Sequence, residues 1–371
     1  MILAFASHHK TLSVAIGLFL SVNLMTYFVS VDTQQPGLLR AVAIKGAIDE
    51  HPIRDNERNP LRALTYLPKK ELARTNIVWI GNSQQHAINQ PKSGDELASV
   101  ILHMQLNGHQ WPGDRPVFGL SYPNLGYGEI FSLIYALSRL PDRKPDVVIL
   151  GLRFQDTKEI GYRKEFLDLL DWEARDMQLN KFLTTKQERK AIDHLQGELG
   201  KRRLQQAEEN TIENMLSSLT GAILPAYRHR EQLQSLVLTK LYWARNFALG
   251  IKTSSKRPLL KGRYETALQY LTLSFETARQ SGMRLFVYNI PMRPGVETPY
   301  VQSEYEGFRQ NIRSLCQEYC ANFRDYDDLI PEQEWGIWDG SGEIDYMHFT
   351  GEGHKRLAKT IHLELNLLLA E

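Results

Sequence analysis

The sequence of 371 residues predicts an α/β fold, in which a mostly parallel sheet is interrupted by a helical insertion and preceded by a transmembrane helix. Three observations lead to this prediction. Short apolar runs typical of buried strands alternate with segments of helical periodicity. Between residues 157 and 263 the alternation stops, and apolar side chains recur only at helical intervals. Residues 11–31 contain no charged side chain.

Residues 11–31 are long enough to cross a bilayer. At about 1.5 Å per residue, a helix over this stretch is roughly 31 Å long, whereas the apolar part of a cleaved signal peptide has only about 7–15 residues. The interpretation is a retained single-pass anchor, with a cleaved signal peptide or a buried helix as alternatives. A short tail of residues 1–10 is expected in the cytoplasm. The remaining chain would then lie outside the inner (cytoplasmic) membrane, in the periplasm of a double-membrane bacterium.

The amino-acid composition indicates which kinds of partner, cofactor and metal are expected. A formal net charge of +1 provides no basic footprint for a nucleic acid, so no such partner is expected. No cofactor is predicted. The histidines show no spacing typical of a metal site, so no metal is predicted either. The two cysteines, Cys316 and Cys320, lie four apart in a predicted helix and are either a disulfide or two half-buried thiols.

The elements follow in order along the chain. Residues 32–74 are polar and proline-rich, which suggests a stalk or linker that becomes the edge of the domain, and residues 75–371 form the main domain. Its apolar runs predict strands over residues 77–81, 115–120, 146–151, 284–288 and 322–326. Helical patterns predict helices over residues 84–106, 129–140, 301–319 and 350–369, the first entered through a loop around residues 91–94. The insertion, residues 157–263, is expected to pack as a cap or to form a surface for a membrane or partner protein.

Ser83 follows the first predicted strand, in Gly81-Asn82-Ser83. A serine at this position is often only a helix N-cap. The carboxyl end of a parallel strand is also where open α/β sheets bind ligands, so Ser83 is a candidate nucleophile.

Asp345 and His348 belong to Asp345-Tyr346-Met347-His348, just before the last predicted helix. In isolation this string could be an ordinary loop with a capping aspartate. Together with Ser83, however, it supplies an imidazole base and a carboxylate that holds the base in one tautomer. The predicted catalytic residues are therefore Ser83, His348 and Asp345.

These strings resemble the conserved blocks of the SGNH/GDSL hydrolase superfamily. Ile80-Gly81-Asn82-Ser83 is similar to its first block and the Asp-His string to its last, while Asn124-Leu125-Gly126-Tyr127-Gly128 is similar to its glycine block. The resemblance implies a three-layer, flavodoxin-like parallel-sheet domain and acyl-transfer chemistry. It also implies an oxyanion hole made by the backbone amides of Ser83 and Gly126, with Asn124 as a further donor.

One block departs from the pattern. Where the superfamily presents an asparagine after its third strand, this chain has Arg153, in Gly151-Leu152-Arg153-Phe154. Arg153 could stabilise an oxyanion or bind an anionic group, or it could pair with Asp156 or Glu159. The departure fits divergent membrane-anchored members best, similar to the D-alanyl transfer protein of teichoic acid synthesis and to the alginate O-acetylation proteins.

Three further residues are candidates for binding substrate. Trp335 and Trp338 lie upstream of the Asp-His string and could stack on a sugar or simply pack, and Arg293 follows the fourth strand as an anion contact. The resulting expectation is an esterase or O-acyltransferase for a cell-surface or secreted glycan, with a polytopic membrane O-acyltransferase as partner. The alternative is a degenerate domain that binds a glycan or acts as a scaffold for such a membrane enzyme.

Overall fold

The computed structural model describes residues 41–48, 50–158, 160–171, 189–208, 249–250, 255–320, 322–337 and 344–370. The predicted tail and anchor, Trp338 and much of the insertion lie outside these ranges. Among the described residues, no helix is both long and apolar enough to span a membrane. Residues 37–200 and 256–371 form one compact unit, which contains everything discussed below. A second unit, residues 1–36 and 201–255, contributes few described residues.

The described strands are β1 (Ala41–Ala43), β2 (Ala47–Ile48), β3 (His51–Pro52), β4 (Ile77–Gly81), β5 (Ala87–Asn89), β6 (Val117–Ser121), β7 (Val147–Leu152), β8 (Arg284–Asn289), β9 (Asn322–Asp325), β10 (Trp335–Ile337) and β11 (Ile344–Phe349). The described α-helices are α1 (Pro60–Ala63), α2 (Ser83–His86), α3 (Ala98–Asn107), α4 (Tyr127–Ser138), α5 (Lys164–Asp171), α6 (Arg189–Glu208), α7 (Lys261–Gln280), α8 (Gln302–Tyr319) and α9 (Gly351–Ala370).

The five predicted strands form one parallel sheet in the order β6-β4-β7-β8-β9, which confirms the α/β fold class. Successive side chains of a strand point to opposite faces, so each strand contributes to two apolar cores. Val78 and Ile80 of β4 belong to the core with α4 and α7. Ile77 and Trp79 belong to the core with α3 and α9. The sheet is therefore the middle of three layers.

The helix predicted over residues 84–106 is instead two helices, α2 and α3, separated by β5. The backbone turns between them, because Gln90 and Gly94 both adopt positive φ values, of 52° and 84°, and Pro91 cannot continue a helix. The short strand β5 pairs antiparallel with β1.

Part of the segment of residues 41–74 packs against the edge of the sheet. Ile53 is buried, and the segment around Arg54 runs parallel to β6, with a bridge between Arg54 and Gly119. Hydrogen bonds from Asp55 N to Gly119 O (3.0 Å) and from Gly119 N to Ile53 O (2.9 Å) extend the sheet beyond its edge strand. Of the prolines that suggested a linker, Pro52 lies in β3 and Pro60 begins α1.

Three other features complete the fold. The Asp-His string lies in strand β11, paired antiparallel with β10, and not in a loop. Helix α7 connects β7 to β8 after the insertion, whose described parts include helices α5 and α6. The cysteines Cys316 and Cys320 form a disulfide at the end of α8, which resolves the two alternatives that their spacing left open.

Candidate active site

Ser83 lies where β4 ends and α2 begins, in a tightly fixed turn. Asn82 is the N-cap of the helix: its Oδ1 accepts from Gln84 N (3.0 Å), and its own N–H donates to Gln85 Oε1 (3.0 Å). Gly81 leaves room for this arrangement, since a Cβ at that position would come within 2.2 Å of Gln85 Oε1. Ser83 itself is only partly buried, and it lies at the carboxyl end of the sheet.

Asp345 and His348 form a buried pair on β11. His348 Nδ1 lies 3.0 Å from Asp345 Oδ2, and because a carboxylate only accepts, the imidazole donates. Asp345 Oδ1 accepts from the backbone amides of Met347 (2.8 Å) and His348 (3.1 Å). The arrangement leaves His348 Nε2 as the basic nitrogen, as general-base catalysis requires.

Asp345 is ionised although it is fully buried. Burial alone would raise the pKa of this carboxyl, but the hydrogen bonds and charge of His348, with the donors Met347 N and Asn89, lower it below its usual value. A negative charge is therefore maintained next to the imidazole.

The helix that begins with Ser83 is attached to the strand that carries His348. Gln84 is completely buried, and its Nε2 donates to Met347 O (3.1 Å) and to Pro291 O (3.0 Å). Within the described ranges, no hydrogen bond joins Ser83 Oγ to His348 Nε2. Catalytic hydrogen bonds often tighten only when substrate binds, so the lack of this bond does not argue against the two groups acting together.

Asn89 and Arg293 hold Asp345 from the other side, and sequence reasoning missed the first of them. Asn89 Nδ2 donates to Asp345 Oδ2 (2.7 Å). Arg293 Nη1 donates to the carbonyl oxygens of Asp345 (3.1 Å) and Gly336 (2.6 Å). Arg293, predicted to contact an anion, is thus buried and joins β10 to β11 through these hydrogen bonds. No sequence motif indicates Asn89, because its contact with Asp345 depends on β5 lying beside β11 in the fold.

The glycine block lies next to Ser83, because Ser121 of β6 pairs with Gly81 of β4. Asn124, with a φ of 53°, is exposed in the loop that follows β6. The Gly126 N–H, however, donates to Glu129 Oε2 (3.1 Å), and Glu129 is paired with Arg163. An oxyanion-hole role for Gly126 stays a prediction that requires Glu129 to release the amide.

Arg153 is buried and paired. Its Nη1 lies 3.7 Å from Asp156 Oδ1, and Asp156 Oδ2 accepts from Asn82 Nδ2 (3.2 Å). Burial lowers the pKa of Arg153, but Tyr300 and Asp156 outweigh it and the pKa is raised. Asp156 therefore links Arg153 to Asn82, the residue that caps α2. Of the roles open to it, the structure provides the ion pair with Asp156.

Trp335 is not a stacking platform. It is 4% exposed, donates from Nε1 to Ile330 O (3.0 Å) and packs edge-on against Phe349. It belongs to the core between the sheet and α9, so of the two alternatives for Trp335 the structure shows plain packing. Trp338 lies outside the described residues.

Two further histidines are buried near His348. His354 accepts from Ala98 N (3.2 Å) at Nδ1, and its Nε2 faces Ala87 O (3.3 Å). Burial lowers its pKa to about 3. Burial and the charge of Arg54, whose Nη2 lies 2.7 Å from His86 Nδ1, lower the pKa of His86 to about 4. Both rings are neutral at physiological pH and belong to the scaffold beneath the site.

No protein-family model and no curated protein sequence matches the chain. Among solved structures, it is similar to a proposed acylhydrolase of Bacteroides fragilis, with 10% identity, a TM-score of 0.39 and coverage of 85% of this chain and 97% of that one. It is also similar to a GDSL-like lipase of Bacteroides thetaiotaomicron, with 11% identity, a TM-score of 0.36 and coverage of 83% and 98%. Likenesses this remote do not identify a function, so the case for the site rests on its own geometry.

Proposed function

We propose that this chain is a membrane-anchored, extracytoplasmic serine enzyme of the SGNH type that transfers or hydrolyses an acyl group on a cell-surface or secreted glycan. The observation that carries the proposal is the 3.0 Å pair between His348 Nδ1 and Asp345 Oδ2. This pair lies on a strand that is hydrogen-bonded to the helix beginning with Ser83. Nucleophile, base and orienting carboxylate are thus supplied by neighbouring elements.

In the first half-reaction, Ser83 Oγ attacks the acyl carbonyl carbon while His348 Nε2 takes the hydroxyl proton. Collapse of the tetrahedral intermediate breaks the bond to the leaving oxygen, which receives that proton from His348. The acyl group remains on Ser83 as an ester. Asp345 stabilises the imidazolium formed during both proton transfers.

In the second half-reaction, His348 deprotonates a glycan hydroxyl or a water molecule, which attacks the carbonyl carbon of the acyl-serine. The bond from that carbon to Ser83 Oγ then breaks, and Oγ takes the proton back from His348. The Ser83 N–H is a candidate donor to the oxyanion, because an amide in the first turn of a helix is not needed for intrahelical hydrogen bonds. Gly126, Asn124 and Arg153 are the other candidates. The balance between transfer and hydrolysis depends on how the cleft binds the acceptor and excludes water.

The extracytoplasmic location rests on residues 11–31 and is supported by the disulfide between Cys316 and Cys320, since disulfides persist in oxidising compartments. A membrane-anchored domain outside the cytoplasm could receive its acyl group from a polytopic membrane O-acyltransferase. A reporter fused to the C-terminus tests the location. Activity of a reporter that works only in the cytoplasm would contradict it.

The chemistry is tested with a fluorophosphonate probe and p-nitrophenyl acetate on the detergent-solubilised full chain. We expect the wild-type protein to be labelled and to release p-nitrophenol, and Ser83→Ala to lose both. Ser281→Ala, at the remote end of α7, is the matched control and should behave as wild type. Labelling of Ser83→Ala at the wild-type level would overturn the proposal.

The second candidate function is a non-catalytic SGNH-like domain that binds a glycan or acts as a scaffold for the membrane O-acyltransferase. It is favoured by the hydrogen bond from Gly126 N–H to Glu129 and by the pairing of Arg153 with Asp156. Both remove groups that an oxyanion hole would use. Absence of Ser83-dependent labelling, together with full function of Ser83→Ala in cells, would support this alternative.

A further inference from the structure

Asn89 is a buried residue whose one side-chain hydrogen bond is made to the carboxylate of the candidate catalytic pair. It is 0% exposed, and its Nδ2 donates to Asp345 Oδ2 at 2.7 Å. The same oxygen receives Nδ1–H of His348 at 3.0 Å. Because Oδ1 is occupied by two backbone amides, the position of the Asn89 amide determines how Oδ2 is directed at the imidazole.

The position of Asn89 is itself closely constrained. Its backbone pairs with Ala41 of β1, the first described strand of the chain. On the side-chain face it contacts Gly336, where a Cβ would come within 1.9 Å of Asn89 Cγ. Arg293 donates to the carbonyl oxygens of both Gly336 and Asp345. One guanidinium therefore fixes the two residues that contact the Asn89 side chain.

We propose that Asn89 is a positioning residue, which acts through Asp345 to keep the His348 imidazole in the tautomer with its proton on Nδ1 and its lone pair on Nε2. This inference rests on the proposed function, because that lone pair is the base that serves Ser83. The Asn89 amide contributes no charge and touches no reacting atom. Its effect is to fix the rotation of the Asp345 carboxylate more closely than the two backbone amides on Oδ1 and the bond from His348 do without it.

The kinetic test uses Asn89→Ala in the full chain, with p-nitrophenyl acetate as substrate. Hydrogen bonds to charged groups are among the stronger ones in proteins, so we expect kcat to fall about 10- to 100-fold while KM stays near the wild-type value. Asn89→Ser, whose hydroxyl is too short to reach Asp345, should show the same split and serves if the alanine variant does not fold.

Asn76→Ala is the matched control. Asn76 is also buried, also donates through Nδ2 to a single partner, Pro68 O at 3.2 Å, and also leaves its Oδ1 without a partner. It lies just before β4, at the amino end of the strand whose carboxyl end leads to Ser83. Asn76→Ala should therefore lose stability without the selective fall in kcat. An equal effect of both variants on kcat would overturn the inference.

A double variant separates positioning from a general effect on packing. If Asn89 acts through Asp345, then Asn89→Ala should cost nothing further in kcat when Asp345 is already alanine. An undiminished cost in the Asp345→Ala background would contradict the proposed role.

A spectroscopic measurement decides the inference even if the protein has no esterase activity. In ¹⁵N-histidine-labelled protein, with His348 assigned from the His348→Gln variant, the nitrogen shifts report which ring nitrogen carries the proton. We expect the Nδ1–H tautomer in the wild type and a mixture with Nε2–H in Asn89→Ala. An unchanged tautomer of His348 in Asn89→Ala would overturn the inference. Inactivity of the wild type would overturn only the proposed function.

Discussion

Gln84 and Met347 are joined by a 3.1 Å hydrogen bond from Gln84 Nε2 to Met347 O, between the residue after Ser83 and the residue before His348. Two segments that are far apart in sequence are thereby held together at the point where a nucleophile and a base must meet. The second bond of this amide, to Pro291 O, adds the loop after β8 to the same junction.

We expect Gln84→Ala to destabilise the protein by about 1–3 kcal/mol, because two buried carbonyl groups lose their donor. The change should also lower kcat, since α2 and β11 would no longer be held in register. Urea denaturation and esterase kinetics measure the two effects. Gln302→Ala, which removes an exposed i,i+4 contact with Glu306, is the control and should leave both near wild type. If Gln84→Ala were as stable as the wild type, the inference that the Gln84 hydrogen bonds stabilise this contact would be wrong.

Gly336→Ala should impair the candidate site through steric contact. Its Cβ would come within 1.9 Å of Asn89 Cγ, so Asn89 must move away from Asp345. We expect lower stability and lower kcat. Gly307→Ala in α8 is the comparison, because nothing lies within 4 Å of its new Cβ. Alanine in a helix interior stabilises by about 0.5–1 kcal/mol relative to glycine, so the two variants should move stability in opposite directions.

Asp156→Ala should be strongly destabilising, by about 3–5 kcal/mol, because it leaves the Arg153 charge buried without its partner. Replacing both residues, as Arg153→Met with Asp156→Ala, should cost less than the sum of the two single changes. Chemical denaturation of the three variants measures the coupling. Strict additivity would show that the pair contributes little, and would return Arg153 to the list of oxyanion donors.

Stability should fall in acid because His86 and His354 are buried and neutral. Burial lowers their folded-state pKa values to about 4 and about 3, whereas an unfolded histidine titrates near 6.5. As the pH falls from about 6.5 to 4, the unfolded chain binds protons first, so the free energy of unfolding decreases, by about 3 kcal/mol for His86 alone. Urea denaturation across this range measures the decline.

His354→Gln should remove about half of that pH dependence, because a glutamine cannot take up the proton. His109→Gln changes an exposed residue and should leave the pH profile as in the wild type. A profile that is equally steep in His354→Gln and the wild type would contradict the assignment of the acid sensitivity to the buried ring.

Alkylation tests the disulfide and its compartment together. If Cys316 and Cys320 are joined outside the cytoplasm, a thiol reagent added to denatured cell extracts should modify them only after reduction. Two-site modification without reductant would show free thiols. Cys316→Ser is the control for complete alkylation, because it leaves one reactive thiol.

The sheet was predictable because its strands carry the strongest sequence signal. Ile77–Gly81 and Val147–Leu152 are buried at every position, and a continuous apolar run is what a parallel strand covered on both faces requires. Ser83, Asp345 and His348 could be proposed because each lies next to such an element.

The support of the site could not be predicted, because it depends on contacts between distant polar residues. Asn89 is one asparagine in a three-residue strand, and nothing local indicates that β1 and β11 lie beside it. The burial of Trp335 and the attachment of residues 41–74 likewise follow from tertiary packing. The proline-rich composition of that segment is shared by linkers and by irregular edges of domains.

The pairing of β1 with β5 bears on the proposed membrane anchor, because it joins the candidate site to the start of the described chain. If residues 11–31 span the membrane, only the nine residues 32–40 separate the anchor from β1, which is bonded to the strand that ends in Asn89. At about 3.3–3.6 Å per extended residue, this tether covers at most roughly 30 Å. The proposed enzyme would then act on polymer that lies close to the membrane surface. A soluble version made by cutting at residue 75 would lose the strand that supports Asn89.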